Sequence, residues 1–317
     1  MDVNSARFAQ VYPDTAEAYN QKLVPAGLEG VKPYKAKKAD LKYKGEPVEK
    51  PIAYLPVFPG TNCDYDSAKA FRTAGAEVRM SVFCNLTEDD IFRSIAEMKK
   101  HIDECHILML SGGFSAGDEP DGSGKFIANV LNNKEIADAI HALIDRGGLI
   151  LGICNGFQAL VKSGLLPYGR LGMVTKESPT LFRNDINRHI SQIVTTRVGT
   201  TNSPWLKGFA IGDLHTIAVS HGEGKFVVNE ELAKELFANG QVAFQYVDPI
   251  DEEVTMESPY NPNGSYYAIE GIISRNGQIL GKMGHTERFE GNLFKNIMDE
   301  GLEQPLFDNA VAYFRGE

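Results

Sequence analysis

The chain has 317 residues, of which 43% are hydrophobic and 23% charged, a balance typical of globular proteins. Its 42 acidic and 32 basic side chains give a net charge of −10, which argues against a dedicated nucleic-acid-binding protein because such proteins carry a basic surface. No apolar run approaches the roughly 18 residues that span a bilayer, and no signal peptide opens the sequence. We therefore expect a cytoplasmic protein that binds neither membranes nor nucleic acid.

Residues 1–50 differ from the rest of the chain, because they hold few long aliphatic residues and no periodic apolar stretch. Residues 31–50 contain seven lysines and three acids, a local charge of +4. A tether over an acidic surface and a nucleic-acid-binding arm are both compatible with that charge. The interspersed acids, the prolines and the lack of arginine favour the tether. We therefore predict a linker or tether over residues 1–50 and one folded domain over residues 51–317.

Short apolar runs alternate with helical stretches from Ile52 onward, which indicates parallel strands buried on both faces and joined by helices. This order predicts an α/β fold with a doubly wound, mostly parallel sheet flanked by helices. The strands are predicted at residues 52–58, 77–83, 105–110 and 149–153, and the helices at residues 64–74, from the capping residue Thr87 to about residue 100, and 126–146.

The C-terminal half adds further β-strands with no clean linker before them, so we predict a single elaborated domain. Strands are predicted near residues 190–198, 216–219, 242–247, 266–273 and 279–283. Helices are predicted near residues 230–238 and at the C-terminus.

The segment Gly152-Ile153-Cys154-Asn155-Gly156 lies between an apolar strand and a helix start. This is the context of a nucleophile elbow, with cysteine in the place that serine often takes. Glycines allow the sharp turn, and the helix N-terminus favours a thiolate. The alternative is a buried structural cysteine in a tight loop. We predict Cys154 as the nucleophile; the other cysteines, Cys63, Cys84 and Cys105, show neither a disulfide framework nor zinc-site spacing.

A thiolate nucleophile requires a base and a group that orients it. Among seven histidines, His285 stands out because Glu287 follows two residues later, after a predicted strand. In extended backbone these side chains point the same way, so the carboxylate could fix the imidazole tautomer. The alternative is an exposed strand end with ordinary polar residues. The others are His101 and His141, expected at the surface, His106, expected to be structural, and His189, His215 and His221.

Two glycine-containing loops follow predicted strands and are candidates for binding. The N–H groups at Gly112 and Gly113, with the N–H of Asn155, could form an oxyanion hole. The polar segment at residues 220–224 is a candidate substrate-binding loop. A flexible loop and a turn, respectively, are the alternatives. The acids Asp118, Glu119 and Asp121 could bind a cation, but they lack an EF-hand pattern, so a solvated loop and no metal site are predicted.

Taken together, these segments resemble the triad-type glutamine amidotransferase domain of phosphoribosylformylglycinamidine synthase, an enzyme of purine biosynthesis. The pieces that carry the resemblance occur in family order and span most of the chain. They are Phe58-Pro59-Gly60-Thr61-Asn62-Cys63-Asp64, Gly112-Gly113-Phe114-Ser115-Ala116-Gly117-Asp118, Gly152-Ile153-Cys154-Asn155-Gly156-Phe157-Gln158, Ser220-His221-Gly222-Glu223-Gly224 and Gly284-His285-Thr286-Glu287-Arg288.

The resemblance implies a flavodoxin-like fold and a role for each candidate. Cys154 would form a glutamyl thioester with L-glutamine, His285 would move protons, and Glu287 would orient it. Backbone groups near Gly113 and at Asn155 would hold the oxyanion, while Gln158, Ser220, His221 and Gly222 would lie near glutamine. The ammonia would pass to a synthetase domain or subunit that makes formylglycinamidine ribonucleotide. No cofactor is expected in this chain; ATP and magnesium are expected on that partner.

One position departs from the family pattern, since Thr286 stands where the family often has proline between the histidine and the glutamate. The first 50 residues resemble an interdomain tether, so the chain could be an excised domain or a separately encoded subunit. Two alternatives to the glutaminase remain open: an autonomous cysteine hydrolase or peptidase on the same elbow fold, and a non-catalytic docking domain.

Overall fold

The computed structural model describes residues 41–115, 124–288, 293–294, 297 and 303–317. Within these residues the strands alternate with helices as an α/β fold. The strands are β1 (Ile52–Val57), β2 (Glu77–Val82), β3 (Ile107–Leu110), β4 (Leu149–Ile153), β5 (Thr180–Phe182), β6 (Ile190–Val198), β7 (Leu214–His221), β8 (Lys225–Val227), β9 (Val242–Val247), β10 (Ile269–Ile273) and β11 (Ile279–Lys282).

Helices cover both faces of the sheet that most of these strands form. They are α1 (Asp64–Thr73), α2 (Glu88–Glu104), α3 (Lys125–Leu131), α4 (Lys134–Asp145), α5 (Asn155–Ser163), the short α6 (Leu165–Tyr168), α7 (Glu230–Ala238) and α8 (Leu306–Arg315). Short 3-10 turns occur at Pro204–Leu206, Tyr266–Ala268 and Thr286–Arg288. The apolar faces of the helices and the fully buried strands β3 and β4 share one core.

The large sheet has the strand order β2-β1-β3-β4-β11-β10-β9-β6-β7. The pairs from β2 to β11 are parallel, whereas the pairs from β11 to β7 are antiparallel. The predicted doubly wound sheet with extra strands in the C-terminal half is therefore confirmed. The pairing of β4 with β11 matters most for function, because Lys282 is the register partner of Ile153. Residues that follow these two strands leave the sheet at the same edge.

Some predicted elements differ in detail. The stretch at residues 126–146 is two helices, because Asn133 caps a new one by accepting the N–H of Glu135. Residues 266–268 form a 3-10 turn rather than strand, with Tyr267 at a φ of 53°. The small sheet of β5 and β8 was not predicted. The predicted cap at Thr87 is confirmed, since its hydroxyl accepts the N–H of Asp90 at 3.1 Å.

The first 40 residues, which hold most of the predicted tether, lie outside the described residues. In the described part of that segment, Tyr43 packs its ring against Phe314, with centroids 4.8 Å apart. The N–H of Val48 donates to the carbonyl of Phe314 at 2.8 Å. A boundary at residue 50 stays a prediction. The acids Asp118, Glu119 and Asp121 also lie outside the described residues.

No helix in the described ranges combines the length and apolar character that a membrane crossing needs.

Candidate active site

Cys154 sits in a sharp turn between β4 and α5, with a φ of 53° and a ψ of −107°. A left-handed φ is unfavourable for a residue with a side chain, so the surroundings must hold it. The glycines on either side make this possible. A Cβ on Gly156 would lie 1.9 Å from the carbonyl oxygen of Leu110, and one on Gly152 would lie 2.5 Å from Cδ1 of Leu160. The predicted elbow is therefore present, and it depends on close packing against β3 and α5.

The thiol of Cys154 is buried at the N-terminus of α5, where the helix dipole favours negative charge. Its backbone N–H donates to the carbonyl of Lys282 at 2.9 Å, which ties the turn to the neighbouring strand β11. Sγ lies 3.7 Å from the carbonyl oxygen of Ser220. Strand β7 and the start of the loop at residues 220–224 therefore lie next to Cys154.

His285 and Glu287 pair as predicted, although not for the predicted reason. Residues 286–288 form a 3-10 turn rather than extended backbone, with the Arg288 N–H donating to the His285 carbonyl at 3.2 Å. The turn brings Oε1 of Glu287 to 2.7 Å from Nδ1 of His285, and both side chains are buried. Because a carboxylate accepts the proton of Nδ1, it orients the ring and leaves Nε2 for chemistry. Within the described residues Nε2 makes no hydrogen bond of ordinary geometry.

The electrostatics of this pair favour a charged imidazolium. Burial alone would lower the pKa of His285, but the Glu287 carboxylate and contacts with the thiols of Cys154 and Cys63 raise that pKa well above its usual range. Burial likewise acts to raise the pKa of Glu287, yet the adjacent imidazolium and hydrogen bonds bring it below its ordinary value. A proton is therefore held on the imidazole while the carboxylate stays ionised.

Gly112 lies between Cys154 and His285. A Cβ built on it would lie 3.0 Å from Cε1 of His285 and 3.4 Å from Cβ of Cys154. The two residues, 131 positions apart in the sequence, are thus brought together at the carboxyl ends of β4 and β11. The bare backbone of Gly112 leaves the space between them open.

Gly113, the next residue, lies against the backbone of the loop at residues 60–62. Thr61 and Gly113 form an antiparallel bridge through the residues on either side of them. The N–H of Asn62 donates to the Gly112 carbonyl, and the N–H of Phe114 donates to the Gly60 carbonyl. Neither of these two bonds uses the N–H of Gly113. A Cβ on Gly113 would lie 2.5 Å from the Gly60 carbonyl oxygen. Glycine is therefore required at this position by close backbone approach.

Asn155 and Gln158 form a short chain of amide hydrogen bonds under the elbow. The Asn155 side-chain N–H donates to Gln158 Oε1 at 2.9 Å, and Gln158 Nε2 donates to the Glu223 carbonyl at 2.6 Å. The side-chain oxygen of Asn155 accepts the N–H of Ser115 at 3.3 Å. In this arrangement both side chains link loops around the site, and the backbone N–H of Asn155 directly follows Cys154 in the chain.

The loop at residues 220–224 is held by Asn184, which the sequence analysis did not single out. Its Oδ1 accepts from Nδ1 of His221 at 3.1 Å and its Nδ2 donates to the His221 carbonyl at 2.8 Å. Its own N–H donates to the Gly222 carbonyl at 3.0 Å. Burial, with the nearby charges of His285 and His189, lowers the pKa of His221 to about 3, so this ring is neutral. His221 therefore shapes the loop without carrying charge.

Other histidines have contacts away from the pair. His106 accepts the N–H of Ile52 at 3.1 Å, which confirms its structural role. His141 was expected at the surface, but it accepts the N–H of Leu171 at 3.1 Å and is half-buried. Burial and the charge of Lys282 lower the pKa of His215 to about 4.

Cys63 is a second buried thiol at the site. Its Sγ lies 3.9 Å from Nδ1 of His285 and accepts a hydrogen bond from Nη2 of Arg288 at 3.0 Å. Ligand atoms of Cys63, His285 and Glu287 lie within 4.8 Å of one another, a spacing that a metal ion could bridge. The carboxylate already engages Nδ1, and the guanidinium opposes a cation at the sulfur. The geometry thus favours a hydrogen-bonded cluster over a metal centre.

A cavity of about 630 Å³ borders the base side of the site and is lined by Glu287, Arg288 and Ser220 together with Lys69 and Leu293. Cys154 and the glycine loop are not among its lining residues. It therefore adjoins Glu287 rather than enclosing Cys154.

A protein-family comparison matches residues 50–314 to the CobB/CobQ-like glutamine amidotransferase domain. The chain belongs to this family. The phosphoribosylformylglycinamidine synthase subunit PurQ of Methanococcus maripaludis strain C5 is 36% identical over 273 residues, which cover 80% of this chain and 95% of the relative. The PurQ subunit of Gloeobacter violaceus is 34% identical over 256 residues, covering 81% of this chain and 97% of the relative.

The solved structure of PurLQS from Thermotoga maritima contains a chain with a similar fold. It superimposes with a TM-score of 0.59 at 26% sequence identity, covering 83% of this chain and 99% of the other. The sequence prediction of a glutamine amidotransferase is thus confirmed at the level of family and fold.

The sequence analysis of this amidotransferase did not identify several residues that contact the candidate site residues. Arg288 and Cys63 lie within the motifs that carry the family resemblance, so their position in those motifs could have marked them as site residues. Asn184 and Lys282 carried no local signal. Lys282 ends an apolar strand and looks like a solvent-facing charge, yet it is fully buried.

Proposed function

We propose that this chain is the glutaminase component of phosphoribosylformylglycinamidine synthase, hydrolysing L-glutamine through a thioester on Cys154. The observation that carries the proposal is the placement of His285, paired with Glu287, across Gly112 from Cys154. A thiol, an imidazole and a carboxylate in this relation are the parts that amide hydrolysis through a covalent intermediate needs.

The reaction begins with the Cys154 thiolate attacking the carbonyl carbon of the glutamine side-chain amide. The carbonyl oxygen becomes an oxyanion, to which the backbone N–H groups of Gly113 and Asn155 donate. The His285 imidazolium then gives its proton to the departing nitrogen, so ammonia leaves and a glutamyl thioester remains.

Water completes the cycle. Neutral His285 takes a proton from the attacking water, the tetrahedral adduct collapses, and glutamate leaves as the thiolate reforms. Glu287 keeps the imidazole in one orientation throughout and stabilises its charged form. The buried surroundings of the pair strengthen these interactions because little water screens them.

The acceptor of the ammonia is inferred from the relatives, which are named as subunits of phosphoribosylformylglycinamidine synthase. We infer that a synthetase subunit takes the ammonia for the ATP-dependent conversion of formylglycinamide ribonucleotide to formylglycinamidine ribonucleotide, with ATP and magnesium on that partner. We place this activity in the cytoplasm, since a reducing compartment keeps a thiol nucleophile active.

The test measures glutamate release with the synthetase subunit and its nucleotide ligands present. Loss of a covalent nucleophile lowers turnover by about a million-fold in other systems, so Cys154→Ala is expected to abolish release. Cys105→Ala is the matched control, because Cys105 is also buried but lies at the far end of β3. Retention of about a tenth of the activity in Cys154→Ala would overturn the nucleophile assignment.

A second arm tests coupling to the partner by comparing this chain alone with the reconstituted enzyme. An allosteric coupling of about 1–3 kcal/mol would change turnover by roughly 5- to 150-fold if it acted on the barrier. Equal rates of glutamate release at saturating glutamine would favour an autonomous hydrolase instead.

A further inference from the structure

Lys282 is a buried cation that the mechanism above does not use. It is the last residue of β11, its side chain is completely buried, and its ammonium lies 4.9 Å from the ring centre of Phe244. Burial lowers the pKa of Lys282, while the carboxylates of Glu270 and Glu287 act in the opposite direction. A charge in such a place requires partners, because desolvation without them is costly.

The partners of the ammonium form a closed triangle behind the catalytic pair. Nζ of Lys282 donates to Oγ1 of Thr286 at 2.9 Å and to Oε1 of Gln304 at 2.8 Å. The Thr286 hydroxyl in turn donates to the same Gln304 oxygen at 2.7 Å. Thr286 and Gln304 are both buried. We call these three residues the lysine triangle.

Glu270 balances the charge and holds the other end of the same loop. Its Oε1 lies 3.8 Å from Nζ of Lys282 and accepts the N–H of Gly284 at 2.6 Å. The turn that carries His285 is therefore fixed on the side before it by Glu270 and on the side after it by the lysine triangle.

Lys282 also contacts the other half of the site. Its carbonyl oxygen accepts the N–H of Cys154 at 2.9 Å, and that bond helps hold the strained elbow. One residue thus bonds to the nucleophile through its backbone and, through its side chain, to the residue between His285 and Glu287.

We propose that Lys282 is a positioning residue for the catalytic pair, which fixes the turn at residues 284–287 through Thr286 and ties it to the C-terminal segment at Gln304. The inference rests on the proposed glutaminase function. In a tight turn, anchoring the middle side chain sets the rotation of the turn, and hence the directions of the imidazole and the carboxylate. Misplacement of reacting groups by about 1 Å can cost roughly a hundredfold in rate.

Three variants separate positioning from general stability. Thr286→Val keeps the shape of the side chain but removes the hydroxyl, and Thr286→Ser keeps the hydroxyl. Lys282→Met leaves Glu270 without its counter-charge, so it is paired with Glu270→Gln to keep the core neutral and the acceptor for Gly284 in place. The matched control is Thr196→Val, since Thr196 is also buried and its hydroxyl donates to the His215 carbonyl on β7 rather than to a residue of the triangle.

The readouts are kcat and KM for glutamate release, and the rate at which iodoacetamide alkylates Cys154 at neutral pH. Thr286→Val and the double variant are expected to lower kcat by about 10- to 100-fold with KM within about threefold. Alkylation is expected to slow by about tenfold, because a displaced imidazole supports the thiolate less well. Thr286→Ser is expected to restore both within about threefold of the wild type, and Thr196→Val to retain both.

The proposal is overturned if Thr286→Val keeps kcat and the alkylation rate within about twofold of the wild type. It is also overturned if Thr196→Val lowers kcat and the alkylation rate as much as Thr286→Val does. A loss confined to KM, or one that Thr286→Ser does not reverse, would equally contradict it. If the wild type released no glutamate, the proposed function would fail, while alkylation of Cys154 would still decide whether the lysine triangle positions His285.

Discussion

Replacing Gly112 by alanine adds a single methyl group at the point where the nucleophile and the base meet. The new Cβ would lie 3.0 Å from Sγ of Cys63, 3.0 Å from Cε1 of His285 and 3.4 Å from Cβ of Cys154. The first two contacts are about 0.5 Å shorter than the usual minimum separation of about 3.5 Å between non-bonded heavy atoms, whereas the third is close to it. The neighbours must therefore move by several tenths of an ångström.

The size of the effect follows from which atoms move. The backbone of Gly112 is not in the left-handed region, so alanine brings no conformational penalty there. Relief comes from the imidazole of His285 and the thiol of Cys63, and the imidazole is one of the proposed reacting groups. Since a shift of about 1 Å costs roughly a hundredfold, a shift of about 0.3–0.5 Å is expected to lower kcat by about fourfold to tenfold. That range corresponds to about 0.8–1.4 kcal/mol on the barrier.

The assay combines glutamate release with thermal unfolding, and Gly172→Ala is the matched control. Gly172 has a φ of 78°, and a Cβ there would meet no atom within 4 Å. Alanine at Gly172 is therefore expected to lower the free energy of unfolding by about 1–2 kcal/mol and to leave kcat unchanged. Gly112→Ala is expected to show the reverse pattern, with a small change in melting temperature and a large loss in kcat.

The reasoning would be refuted if Gly112→Ala kept kcat within about twofold while it folded normally, because the crowding would then not reach the reacting groups. A loss of activity that tracked a loss of stability would equally refute it. Such a result would place the damage in the fold.

Glu287→Gln is expected to bring the pKa of His285 down and to slow alkylation of Cys154 at neutral pH. The raised histidine pKa and lowered glutamate pKa make the pair most stabilising between about pH 4.3 and 6.5, the ordinary values of the two groups. The difference in free energy of unfolding between wild type and variant should therefore shrink at lower pH, as the Glu287 carboxylate protonates, and at higher pH, as the His285 imidazolium loses its proton. A difference that is constant with pH would contradict the pairing of Glu287 with a charged His285. A chain that begins near Glu49 is expected to remain folded but to melt a few degrees lower, since it loses the packing of Tyr43, and Tyr43→Ala in the full chain should reproduce that shift in calorimetry.

The parts of the fold with strong local patterns could be predicted from the sequence. Strand β4 is an apolar run that contains Gly152 and precedes Gly156, and this pattern, together with the helix start after it, predicts the elbow at Cys154. The Thr87 cap has its own signature in Asp90, three residues later. In both cases the physical cause lies within a few residues of the chain.

The parts that were missed depend on contacts between distant segments. Strands β5 and β8 have three residues each, too few to show a period, and they exist because they pair with each other. Residues 286–288 look extended by composition, but the hydrogen bond from Arg288 back to His285 closes a turn. The buried position of Lys282 depends on Glu270 and Gln304, and neither is visible as a partner before the chain folds.

The relation between nucleophile and base depends on a single strand pairing. Strands β4 and β11 are parallel neighbours with Lys282 opposite Ile153, and Cys154 and the turn at His285 follow directly from their ends. A slip of one residue would move one group by about 3.3 Å along the strand and turn its side chain to the other face. The bond from the Cys154 N–H to the Lys282 carbonyl opposes such a slip at the point where it would do most harm. The strained elbow, worth about 1–3 kcal/mol of backbone energy, is thus held by the strand that also presents the base.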